Sequence, residues 1–247
     1  MSVIQFRRMG RLPSADSYPS PKRGQSWQRD IPDDERGIKF EIDRMAKYVR
    51  EFRADPTVVK TARRVVQLCR AKDKHCEMAA LFTWTKGHFR YVNDPVNGEA
   101  IQTPPSHIAE ILTPPDVIRA VLGDELIQQM SGFGIGGALL AAPNQVMARG
   151  CFRDSIGGPM WHKTSGDCDE GAVFLATMLA AIGITSRFQF GGSVGPDGKT
   201  PNWHHVWAAG HDETSGKWID MDITEERSSL GWSYPNFSVY GHVEIFR

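Results

Sequence analysis

Apolar residues recur at spacings of three and four from Gly37 onward, and Ile38, Ile42, Met45, Ala46, Val49 and Phe52 mark one face of a first helix. Asp55-Pro56 supplies an N-cap and a first helical position for a second, which runs through Val58, Ala62, Val65, Val66 and Cys69. Asp73 caps a third through Met78, Ala79, Phe82 and Trp84. The period then changes: residues 88–92 read as a short strand that stops at Asn93-Asp94-Pro95. Thr-Pro-Pro triplets at 103–105 and 113–115 each suit a helix start, 116–129 predicts a helix, and 131–137 a flexible apolar loop. That loop is either a lid over a cleft or a packing insertion. A further helix pattern runs through Ala172, Val173, Leu175, Ala176, Leu179 and Ala180, with Gly183 as its C-cap residue. Strands follow at 185–190, 203–209 and 218–222, and the tail 236–246 adds a fourth. Residues 194–198 form a turn-rich connection, and 211–217 a hairpin loop that makes its two flanking strands antiparallel. Helices first and antiparallel strands afterwards define an α+β chain.

Composition bounds the rest. The 247 residues suffice for a sizeable core, and 40% hydrophobic with 23% charged residues describe an ordinary globular protein. Twenty-nine basic residues balance 29 acidic ones, so neither nucleic acid nor an anionic membrane is the expected partner. The longest apolar run, 133–143, is too short and too glycine-rich to span a bilayer, and the arginines of residues 1–12 have no apolar segment behind them. Residues 1–36, rich in Arg, Ser, Pro and Asp, form a polar arm: an extended segment ordered against a partner, or a solvated tail. The domain proper is 37–247. Cys69, Cys76, Cys151 and Cys168 lack the dense spacing of a disulfide framework and read as reduced thiols of a cytoplasmic protein. A zinc site from Cys151, His162 and Cys168 has no CxxC or HxxxH spacing, and no calcium loop is present, so neither metal nor cofactor is expected.

Cys168 is the residue that calls for chemistry. It lies between Asp167 and Asp169 where the apolar helix begins, so the free amides of a helix N-terminus favour its thiolate. A thiolate attacks carbonyl carbon. Asp167, Asp169 and Glu170 oppose that effect, and the plain alternative is a packed thiol beside capping acids. A thiol nucleophile needs a general base and a group to orient it. The stretch 202–207, Asn-Trp-His-His-Val-Trp, offers His204 and His205, which point to opposite faces of a strand, so at most one of them faces the helix. The next strand offers Asp220 and Asp222 on one face, roughly 4.5–5.5 Å between Cβ atoms if directly paired with that histidine.

These residues stand in a recognisable order. Gly166-Asp167-Cys168, His205-Val206-Trp207 and the run Trp218 to Asp222-Ile223-Thr224 resemble the Gly-x-Cys, His-x-Trp and Trp-x-x-x-Asp-Pro-Thr of the transglutaminase-like cysteine peptidase superfamily. Gly183-Ile-Thr-Ser-Arg187 resembles that family's Gly-Ile-Pro-x-Arg. The resemblance implies a papain/transglutaminase-like core with N-terminal helices (37–87), a central helix carrying Cys168, and a following antiparallel sheet (166–247). It implies Cys168 as nucleophile, His205 rather than His204 as base, and Asp222 rather than Asp220 as the orienting carboxylate, with Ile223 where the pattern has proline. Arg90 to Pro95 and Ile101 to Pro104 resemble bacteriophage and prophage members, which reach Gly-Asp-Cys soon after Thr-Pro; here residues 105–165 intervene as an insertion. The family draws its oxyanion donor from upstream of the cysteine, which makes Trp161, Gln102 and His162 candidates, with the Cys168 amide as a further donor.

The expected activity is thiol-dependent acyl transfer on peptide or isopeptide amides, through a thioester and with hydrolysis as the outcome. A cross-linking transglutaminase is one alternative. Another is a phage structural or assembly protein that uses the fold as a binding module and meets phage proteins through its N-terminal arm. Synthesis in the cytoplasm with virion association is the placement that the resemblance implies.

Overall fold

The computed structural model describes residues 26–29, 35–93, 99–112, 164–198 and 200–246. Strand β1 (Ser26–Arg29) precedes three helices, α1 (Glu35–Phe52), α2 (Pro56–Val65) and α3 (Lys74–His88). Short strands β2 (Phe89–Tyr91) and β3 (Glu99–Gln102) lead to α4 (Pro104–Leu112). After β4 (Thr164–Gly166), helix α5 (Cys168–Ala181) is followed by β5 (Ser186–Val194), β6 (Pro201–Asp212), β7 (Lys217–Met221) and β8 (Val239–Glu244). The architecture is α+β, as the order of periodicities predicts.

Local chemistry sets the helix starts. Asp55 accepts from the amides of Thr57 and Val58 with Pro56 behind it, and Asp73 accepts from that of Cys76. The first Thr-Pro-Pro triplet opens α4. Helix α2 stops at Val65, short of the expected Cys69, and the chain turns through Lys72, whose φ is 68°. This turn brings Cys69 to Cys76 in the first turn of α3, where the two form a disulfide with a Cα–Cα distance of 5.7 Å. The expectation of reduced thiols is thus overturned for this pair, and with it the thiol argument for a cytoplasmic setting. Cys168 remains a free thiol, and Cys151 lies outside the described residues.

The main sheet has the order β7-β6-β5-β8, with every pair antiparallel. Both long strands exceed their predicted spans. One face takes the helices: Phe188, Phe190, Val206, Ala208 and Met221 join Met45, Val49, Val58, Met78 and Leu81 in the core. Helix α5 lies between helices and sheet, and every residue from Ala172 to Leu179 is buried, which explains a pattern apolar on all sides. Gly210 sits under this layer, where a Cβ would come within 2.7 Å of Met78 Sδ. The opposite face of the sheet carries His205 and Trp207.

Three short strands lay outside the sequence reading. β1 pairs antiparallel with β3, so this part of the polar arm finds its partner within the chain. β2 pairs in parallel with β4, which delivers Gly166 to the start of α5. The expected helix at 116–129, the loop at 131–137 and the second Thr-Pro-Pro triplet lie outside the described residues. No helix among those described is long and apolar enough to cross a membrane.

Candidate functional site

The N-terminus of α5 is built as a capping box. Asp167 accepts from the Asp169 amide at 3.2 Å, and Glu170 Oε2 accepts from the Asp167 amide at 3.2 Å. Glu170 Oε1 also accepts from the Gln102 backbone amide at 2.7 Å, which ties β3 to the same turn. Gly166 makes the packing possible, because a Cβ there would overlap the Glu170 carboxylate. Cys168 is therefore held in the first turn of a buried helix, partly buried itself.

On the sheet, pairing parity decides what faces Cys168. Ala208 pairs with Met221, Ala209 with Asp220, and β7 ends there, so β6 from Pro201 to Trp207 has no β7 residue beside it. Asp220 turns its carbonyl away to the Gly231 amide, so the even residues of β6 direct their backbone groups toward β7. Val206 falls just beyond the end of β7, and its backbone lies close enough to Cys168 to favour the thiolate. The thiol thus meets β6 beside His205. Burial, then the charges of Asp167 and Asp169, push the Cys168 thiol well up; the Val206 backbone works against them and Asp222 adds to them. These influences oppose the helix-terminus preference for thiolate and favour the thiol.

Asp222, the first residue past β7, reaches back to His205: Oδ2 lies 2.7 Å from Nε2. Its other oxygen accepts from the Thr224 amide (2.8 Å), the Thr224 hydroxyl (2.6 Å) and the Glu225 amide (3.3 Å). Burial alone raises this carboxyl, but the hydrogen bond and charge of His205, with Thr224 and Tyr234, bring it down to about 2. An ionised carboxylate at Nε2 requires a proton there, which leaves Nδ1 as the nitrogen that bears the lone pair in the neutral ring. Among the described residues Nδ1 has no hydrogen-bond partner.

The remaining candidates separate. Asp220 binds Gln189 Nε2 at 3.0 Å, and His204 is exposed and bonded to Ser193 Oγ at 2.7 Å, beside a β-bulge at Gly191/Gly192. Gln102 stands near the helix start, yet its Nε2 donates to Glu110 at 2.7 Å. Trp161 and His162 lie outside the described residues, as does Cys151 of the zinc trio. Ile223, in the place of proline, is buried in the core.

Three supports were not legible beforehand. Tyr234 donates to Asp222 Oδ2 and lies 2.8 Å from His205 Nε2. Lys86, on α3, donates to the carbonyls of Glu225, Glu226 and Ser228, while the Ser228 hydroxyl donates to the Asp222 carbonyl. Gly171 lets the Asp222 loop dock on α5, since a Cβ there would lie 2.7 Å from Thr224 Cγ2. The aromatic density of residues 232–240 was the one signal for Tyr234.

Neither a family model nor a curated protein nor a solved structure matches the chain.

Proposed function

We propose that the protein is a thiol-dependent acyl-transfer enzyme of the transglutaminase-like type, acting on peptide or isopeptide amides with hydrolysis as the outcome. The carrying observation is the His205–Asp222 bond at 2.7 Å, on the residue next to Val206, whose backbone adjoins Cys168. As Cys168 Sγ attacks the amide carbonyl, His205 Nδ1 takes the thiol proton and Asp222 stabilises the imidazolium. The tetrahedral adduct collapses, Nδ1–H protonates the leaving amine, and a thioester stays on Cys168. Water, deprotonated by His205, then releases the acid; a lysine amine in its place would give an isopeptide cross-link. The upward push on the Cys168 thiol favours a general-base mechanism over attack by a stored thiolate.

The phage-type motifs support a protein made in the host cytoplasm that acts in or on the virion, with phage structural proteins or cell-wall peptide as substrates. The test is incubation of wild type and Cys168→Ala with a peptide library and with a fluorescent primary amine, read by mass spectrometry. New peptide termini that depend on Cys168 support the peptidase reading, and amine incorporation supports cross-linking. A folded protein that does neither, yet binds purified virions, is a binding module instead.

A further inference from the structure

The phenol of Tyr234 sits where the His205 imidazole and the Asp222 carboxylate meet. Its hydroxyl donates to Asp222 Oδ2, the same oxygen that takes His205 Nε2–H, and stands 2.8 Å from Nε2. A built surround holds the ring there. Trp232, Phe237 and Trp207 lie 4.5, 4.7 and 5.2 Å from it, centroid to centroid, and His205 lies edge-on at 4.9 Å. The Tyr240 hydroxyl donates to the Tyr234 carbonyl, and Gly231, at φ 79°, turns the chain into this loop. Gly191, directly paired with His205 on β5, leaves the space that the Phe237 ring fills; a Cβ there would overlap the ring. Loop, glycine and ring therefore form one shelf over the His205–Asp222 pair.

We propose that Tyr234 is a positioning residue: its hydroxyl fixes the shared carboxylate oxygen of Asp222, and its ring shields the His205 Nε2–H from water. Its consequence for rate rests on the acyl-transfer reading, but the role itself does not. With five donors on its two oxygens, Asp222 has a single orientation that satisfies all of them, and Tyr234 supplies the donor that comes from outside the 222–225 turn and His205. Burial and the Asp222 carboxylate push the phenol above its ordinary range, so it remains a donor throughout the working pH range.

The experiment is proton NMR of the low-field His205 Nε2–H resonance, assigned by its loss in His205→Ala, together with acylation of Cys168 by p-nitrophenyl acetate. Tyr234→Phe, which keeps the ring, should move the resonance, speed its exchange with water at least ~10-fold, and slow acylation about tenfold. In an Asp222→Asn background the same change should have little further effect on acylation. If Tyr234→Phe does not fold, Tyr240→Phe removes the bond that pins the Tyr234 backbone and should shift the resonance in the same direction by less. A resonance unmoved in position and exchange overturns the role of Tyr234. Acylation indifferent to His205→Ala sinks the acyl-transfer reading, and the resonance still decides the role of Tyr234.

Discussion

Asp222 Oδ2 stands 2.7 Å from His205 Nε2 although the whole β6–β7 hairpin separates them in sequence. The approach depends on β7 ending one residue earlier, at Met221, so that Asp222 leaves the ladder and turns toward β6. A carboxylate inside the ladder, as at Asp220, is held elsewhere: it accepts from Gln189. Asp222→Asn should lower acylation of Cys168 by on the order of 10²- to 10⁴-fold, because the amide no longer fixes the tautomer or stabilises the imidazolium. Asp220→Asn should change it little. Rates for both variants with p-nitrophenyl acetate check this.

The same carboxylate predicts an acid-sensitive part of the stability. Its folded pKa of about 2 lies below the unfolded value, so its contribution is complete above the unfolded pKa, near 4, and is lost as pH falls through about 2. The size is about 2 kcal/mol. Urea midpoints from pH 2 to 6 should show that loss in wild type, and Asp222→Asn should flatten it.

Cys168 should alkylate slowly at neutral pH and accelerate as pH rises past the ordinary thiol range, because burial and then the Asp167 and Asp169 carboxylates hold its proton. Asp167→Asn keeps a capping side chain and removes one of those charges. Its labelling profile with iodoacetamide should move to lower pH. A profile that does not move would contradict the electrostatic account of the thiol.

Two glycines carry geometry rather than turn conformation. Gly166→Ala drives a methyl into the Glu170 carboxylate and should disrupt the capping box that holds Cys168, costing about 1–2 kcal/mol. Gly171→Ala pushes on Thr224, whose hydroxyl binds Asp222 at 2.6 Å. That variant should lose acylation rate by more than its loss of thermal stability explains, which parallel rate and melting measurements decide.

His107 sets a second acid threshold. It is fully buried, stacked on Phe174 at 5.1 Å, and its Nδ1 lies 2.7 Å from Thr164 Oγ1. The Thr164 hydroxyl donates to Glu110 Oε2, so it accepts from Nδ1–H, and Nε2 is left buried with its lone pair. Burial lowers its pKa to about 3. The neutral ring therefore contributes stability above the unfolded value near 6.5, and that contribution is lost as pH falls toward 3. His107→Phe should remove this dependence between pH 6 and 3 while keeping the stack, as urea midpoints across that range would show.

What was readable beforehand follows the physics of each feature. Cys168 stood out because a helix start has a chemical signature, whereas strand alternation left His204 or His205 and Asp220 or Asp222 open and only the resemblance of motifs chose between them. The physical reason that separates Asp222 from Asp220 is the end of β7, which depends on pairing rather than on propensity. β1, β3 and β4 carry too few residues for a period and form through distant partners. The Cys69–Cys76 disulfide depends on a turn through Lys72 that no periodicity marks. Tyr234 sits in a Ser-, Pro- and Gly-rich run, where sequence spacing says nothing about which ring reaches the site. The state of the thiol was a contest between a helix terminus and nearby acids, to which the burial of Cys168 adds the largest push toward the thiol.

The most direct measurement is acylation by p-nitrophenyl acetate with the acetyl group mapped by mass spectrometry in wild type, Cys168→Ala and His205→Ala. The account predicts a burst of p-nitrophenolate, a single acetyl thioester at Cys168, no burst without the thiol, and at least ~10²-fold slower acylation without the imidazole. An acetyl group spread over other side chains, or a Cys168 rate unaltered by His205→Ala in a folded protein, would contradict it.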